Sequence, residues 1–186
     1  MEEPEMAARG VHFAITDEQR SLLEACEDDE KRIDYVGENI EAAWEEDFLQ
    51  QTDKAWDAIH RCLSDFPPDT PWFYPVDPSH GPYALPDDHG TLPLKLCVLG
   101  GKRLITNEEN YFIRLVEPSE VLELVPALKA IDKAWMSEKY FKHCKGAWPE
   151  HGEEDFEYTW EWFEPLREFY ARMAGNGRSV IFTADQ

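Results

Sequence analysis

Asp53, Asp57 and His60 are spaced to do chemistry. On a helix Asp57 and His60 stand one turn apart on adjacent faces, so with Asp53 they can pass a proton or hold a metal ion. Trp56, Ile59, His60 and Leu63 also follow at i, i+3, i+4 and i+7, which puts His60 on an apolar stripe, where a histidine is normally a core residue bonded to a neighbour. Cys62 points to a different face and makes no cysteine–histidine nucleophile with His60. His80, Asp87, Asp88 and His89 carry metal-ligand atoms without the fixed spacing of a zinc or calcium motif. Gly100-Gly101 belongs to no phosphate-binding loop and reads as a turn that tolerates positive φ. No catalytic residue, metal or cofactor is expected.

Charge is the stronger signal. The chain carries a net charge of −21, and residues 1–50 hold 16 acidic and 4 basic side chains, whereas residues 101–150 hold 8 of each. Such a surface repels nucleic acid and anionic membranes and speeds the capture of a basic protein. Trp44 beside Glu45, Glu46 and Asp47 joins an aromatic anchor to a ring of carboxylates, the make-up of an interface. A second acidic cluster, Glu153, Glu154 and Asp155, has Trp162 as its surface aromatic, because Trp160 falls on a core stripe. These residues predict an acidic binding protein, specifically an immunity protein that occludes the active site of a basic toxin domain, its carboxylates standing in for the phosphates such a cleft expects. The alternative is a small enzyme or ligand-binding protein built on Asp53, Asp57 and His60. A third possibility is acidity that serves solubility alone.

The elements that must position these groups follow from periodicity. Gly10 to Ile15 alternates as a short strand, and Thr16 with Gln19 has the spacing of a capping box opening a helix through Leu22, Leu23 and Cys26. Glu27 to Glu30 reads as a solvated turn. Ile40, Trp44 and Phe48 recur every four residues, predicting one helical face with Glu41, Glu45 and Glu46 pointing outward. Thr52 and Asp53 are candidate caps for the helix that carries His60. Residues 67–93 contain eight of the 13 prolines together with Trp72, Phe73, Tyr74 and Tyr83, predicting a long ordered loop packed on the domain.

Leu94 to Leu99 reads as a buried strand or short helix. Pro118 suits the first turn of a helix running to Ile131, with Pro126 kinking it. Trp135 to Trp148 is locally basic, through Lys139, Lys142, His143 and Lys145, and is a candidate to pair with the acidic face. A last helix starts near Glu153, bends at Pro165 and stops at Gly175 or Gly177. Ser179 to Thr183 then forms a strand that completes a sheet with the N-terminal one. Strands at both ends with helices between them predict an α+β fold, a single domain over 1–186 with residues 1–9 flexible.

A chain of this length buries one core without staples. Its four cysteines form no C-x-x-C pair and suit a reducing compartment, and no stretch is apolar enough to span a membrane, so the expected location is cytoplasmic.

The run Asp53-Lys54-Ala55-Trp56, with His60 three residues after Asp57, then Leu99-Gly100-Gly101 and Glu117-Pro118-Ser119-Glu120-Val121 opening a helix, resembles the YfbM-like family of unknown function, DUF1877. The opening strand and helix and the closing aromatic helix follow the family's order, so the resemblance spans nearly the whole chain. It implies a small α+β fold and brings no established activity or catalytic residues. Glu117 stands where the family usually has Thr or a similar cap, and the N-terminal acidity is particular to this chain, pointing to a partner particular to it.

Overall fold

The computed structural model describes residues 9–67, 90–108, 111–144 and 152–185. They form strands β1 (Gly10–Ile15), β2 (Leu49–Asp53), β3 (Lys102–Arg103), β4 (Tyr111–Val116) and β5 (Ser179–Asp185). The helices are α1 (Asp17–Ala25), α2 (Asp29–Val36), α3 (Trp56–Ser64), α4 (Pro118–Lys129), α5 (Lys133–His143) and α6 (Glu153–Asn176). The strands make one antiparallel sheet in the order β2-β1-β5-β4-β3, an α+β arrangement with the first and last strands paired at its centre.

The sheet is covered on both faces, which is why its inner strands read as nearly continuous apolar runs instead of clean alternation. Ala14, Phe112, Val116, Val180, Phe182 and Ala184 pack with Trp56 of α3, Val121 and Leu124 of α4, and Phe163, Phe169 and Tyr170 of α6. Phe13, Ile15, Ile113, Leu115 and Ile181 face the other way, onto Leu23 of α1 and Val36 of α2. Register places Gln50, His12, Phe182, Arg114 and Arg103 in one row across all five strands.

The local rules hold where side chains act on their own backbone. Thr16 caps α1, and its capping box with Gln19 is present. Glu117 replaces the usual hydroxyl cap ahead of Pro118, and Glu120 reaches back to accept the Glu117 N–H at 2.8 Å. Gly177 ends α6 in the left-handed region at φ 63°. Pro126 and Pro165 sit inside α4 and α6, and α4 ends at Lys129, two residues short of the expected Ile131.

Four expectations are corrected. Glu27 to Glu30 is no simple turn: Asp28 accepts the Lys31 N–H at 2.8 Å and caps α2, which starts at Asp29. Ile40, Trp44 and Phe48 share no helical face, because α2 widens into a π-turn at Gly37–Glu41, Trp44 turns left-handed at φ 41°, and Glu46–Phe48 is a 3-10 turn. Glu41, expected outward, turns in and accepts the Tyr111 hydroxyl at 2.5 Å and the Thr183 hydroxyl at 3.1 Å. Thr52 and Asp53 lie in β2 and cap nothing; α3 begins at Trp56 without a side-chain cap.

Leu94–Cys97 is a short 3-10 helix, one of the two forms expected. Gly100 follows it for a reason other than positive φ: a Cβ there would lie 2.3 Å from the Lys95 carbonyl oxygen. Most of the proline-rich loop, including Trp72, Phe73, Tyr74, Tyr83, His80, Asp87, Asp88 and His89, lies outside the described residues, as do Lys145 and Trp148. No helix among the described residues is long and apolar enough to cross a membrane.

Candidate functional site

Some acidic residues of the N-terminal quarter are met by the chain's own cations and others are not. On α1 and α2, exposed Glu18, Glu30 and Asp34 have no ion pair among the described residues, while Asp17, Glu24 and Asp29 do. Asp17 pairs with Arg20 at 3.3 Å, Glu24 with Lys102 at 2.6 Å, and Glu27 with Lys31 at 2.5 Å. Asp29 faces Arg32 at 3.6 Å and also accepts the Thr106 hydroxyl and the Thr106 and Asn107 N–H groups, which hold its carboxyl below the usual carboxylate range.

Glu45, Glu46 and Asp47 are three such residues in a row: all are exposed, and none has an ion pair among the described residues. They sit between the π-turn and β2, where the chain leaves the helical path. The same break lifts Trp44 out of the core. Its ring is 42 % exposed, and its inner edge meets Phe13 at 6.0 Å between ring centres. A bulky residue at positive φ is strained, and the surrounding fold must hold it there.

Beside this corner lies a shallow dimple of about 20 Å³, lined by Phe13, Ile15, Ile40, Ala43 and Phe48, with Gln19, Glu45 and Arg178 supplying polar groups. The guanidinium of Arg178 lies 3.6 Å from the centre of the Phe48 ring and donates to the Ala14 carbonyl at 3.1 Å. Arg178 precedes β5, far along the chain from Phe48. No local spacing marks that contact, and sequence reasoning missed it.

The second acidic cluster is less of a surface than expected. Glu153 and Glu154 are exposed in the first turn of α6, where negative charge suits the helix dipole. Asp155 turns inward and accepts the Tyr140 hydroxyl. Trp162 is half-buried against the core, its ring edge on Tyr158. The basic stretch on α5 pairs within the molecule, though away from the Trp44 corner: Lys139 and His143 meet Asp65, and Lys133 meets Glu157 at 2.5 Å.

Asp53, Asp57 and His60 hold three different partners. Asp53, at φ 43°, accepts the Tyr158 hydroxyl at 2.8 Å and pairs with Arg9 at 3.5 Å. Asp57 pairs with Nε of Arg61 at 2.8 Å. Burial pushes the Asp57 carboxyl up to about 7, with Asp155 adding to the shift and Arg61 opposing it. His60 is fully buried, and its Nδ1 accepts the Leu99 N–H at 3.4 Å. Cys62 meets Cys144, sulfur to sulfur, at 3.9 Å. No group of three or more metal-ligating side chains exists among the described residues.

The protein of unknown function YfbM from Escherichia coli has a similar structure, with a TM-score of 0.62 at 19 % identity over 95 % of this chain and 99 % of that one. At that identity the likeness carries the fold alone. No curated protein matches the sequence. The family model for the domain of unknown function DUF1877 matches residues 6–183. With nearly its whole length inside that match, the chain belongs to the DUF1877 family.

Proposed function

We propose that this chain is a binding protein that captures a basic protein through the corner formed by Trp44, Glu45, Glu46 and Asp47, and that it serves as an immunity protein occluding the active site of a basic toxin domain. The observation that carries this reading is a run of three consecutive exposed carboxylates, Glu45, Glu46 and Asp47, without an ion pair among the described residues, set directly beside the exposed ring of Trp44. Unpaired carboxylates around an aromatic anchor favour fast, salt-sensitive capture of a cationic cleft. Glu153 and Glu154 form a secondary patch, with Asp155 and Trp162 holding α6 in place beneath it.

The test uses a basic toxin domain encoded beside this chain. Co-expression restores growth, and the association rate falls by about tenfold or more between low and physiological salt. The triple reversal Glu45→Lys, Glu46→Lys and Asp47→Lys removes both effects while leaving the thermal melt unchanged. A rate indifferent to salt, or protection that survives the reversal, overturns the proposal.

One observation favours the alternative, an enzyme or ligand-binding protein working through Asp57: its carboxyl titrates at about 7, where a group can both give and take a proton. His60 has no part in that version, being sealed in the core. Asp57→Asn separates the two, since it spares capture of a basic protein and abolishes turnover.

A further inference from the structure

Cys62 on α3 and Cys144 at the C-cap of α5 are 82 positions apart in the sequence, yet their sulfurs stand 3.9 Å from each other. Both side chains are buried, at 1 % and 0 % exposure. The neighbouring contacts hold them in place. Lys139 and His143 of α5 both reach Asp65 at the end of α3, and His143 Nδ1 donates to the Phe66 carbonyl at 2.9 Å. The last turn of α5 is thereby fastened to that end of α3. The Cys144 thiol donates to the Ala58 carbonyl at 3.7 Å, one helical turn before Cys62, which aims its sulfur toward the Cys62 side chain.

A disulfide holds its sulfurs about 2 Å apart, so this pair has about 1.9 Å left to close, which turning the two side chains about their Cα–Cβ bonds covers. We propose that Cys62 and Cys144 are a disulfide-forming site, bridged when the chain folds with a small-molecule disulfide present and left as thiols when it folds without one. One protein thiolate attacks the small disulfide, which forms a mixed disulfide and releases one small thiol. The second protein thiolate attacks the protein sulfur of that mixed bond and releases the other small thiol. The two cysteines lose two protons and two electrons, and the small disulfide takes them up as two thiols. Exchange runs on the open chain, where both sulfurs are reachable. Folding then sets them together, and burial shields either product from further exchange. The bond closes a loop of 82 positions that contains β3, β4 and α4, and so removes much of the freedom of the unfolded chain. The pair keeps a record of the redox conditions at folding.

The test refolds the reduced, urea-denatured chain in a mixture of reduced and oxidised glutathione and maps its peptides without reductant. Cys62 is joined to Cys144 at least about tenfold more often than any other two cysteines are joined. The bridged protein melts about 5 °C or more above the reduced one. Native reduced protein placed in the same mixture gains the bond at least about tenfold more slowly than the refolding chain does. Cys97→Ala, which keeps both sulfurs of the pair, still forms the bond, whereas Cys62→Ala refolded in the mixture shows no rise in melting temperature. Pairing no more selective than in chain held in urea overturns the site. A bridged protein that melts no higher than the reduced one also overturns it, because the fold then rejects the bond. Bridging of the native protein as fast as the refolding chain overturns the shielding by burial on which the record depends.

Discussion

His12 carries its proton on Nε2, because that nitrogen faces the Cys97 carbonyl at 2.8 Å, where the Tyr170 hydroxyl also donates at 2.8 Å. The ring is fully buried, and burial pushes its pKa down from 6.5 to about 4. Between those values the unfolded chain takes up a proton that the native state refuses. The native state therefore loses stability as pH falls from about 6.5 to about 4, by roughly 3 kcal/mol in all. Asp57 works in the opposite sense, its native pKa being raised, so it lowers stability as pH rises toward 7. Denaturant melts of the wild type and His12→Gln across this range isolate the histidine, because both proteins keep Asp57. The wild type is expected to lose about 3 kcal/mol more than the variant. His60 was legible as a core residue, since Trp56 and Leu63 share its stripe. The bond from His12 to Cys97 spans 85 positions and leaves no local trace.

At the scale of elements, legibility follows how local the determining contact is. The first helix and its cap, the closing helix with its Gly177 stop and the terminal strands were all readable, because caps and periodicity act within a few residues. The segment from Gly37 to Asp53 misled because its apolar spacing of four continues beyond the point where the π-turn ends the helix. β2 was missed since Gln50 and Gln51 give it no apolar alternation, and β4 because Arg114 interrupts its run. Arg114 is fully buried there with its guanidinium on Glu108 at 2.6 Å, a partner outside any periodic pattern. Gly100 was readable as glycine at a turn, though its cause is closeness and not handedness. The Gly100 N–H donates to the Lys95 carbonyl at 2.9 Å, and a methyl group would lie against that same backbone. Gly100→Ala is expected to cost about 2 kcal/mol or more in thermal or denaturant unfolding, whereas Gly175→Ala, with open space around its Cβ position, does not destabilise.

For the molecule as a whole, net charge was plain from composition, but its distribution over ion pairs was not. Pairs such as Glu24 with Lys102 join distant parts of the chain and neutralise part of the acidic surface, while the three consecutive carboxylates beside Trp44 have no ion pair among the described residues. The four cysteines are free, as expected of reduced thiols, and only Cys26 reaches the surface. Burial pushes the Cys62 and Cys97 thiols up, which removes the reactive thiolate as well as the access. Iodoacetamide is therefore expected to label Cys26 alone in the native protein, at least about a hundredfold faster than the other three, and all four in denaturant; mass spectrometry reads the count. The pairing of β1 with β5 reaches beyond the static fold. Gly10 lies opposite Ala184 and Ile15 opposite Ser179, so the midline of the sheet is a seam between segments well over a hundred positions apart. Closing a loop of that span carries a large entropic cost, and on the ribosome the seam waits until β5 has emerged. Loss of the last strand would split the sheet into two halves instead of trimming its margin, so a truncated chain has no intact core to fall back on.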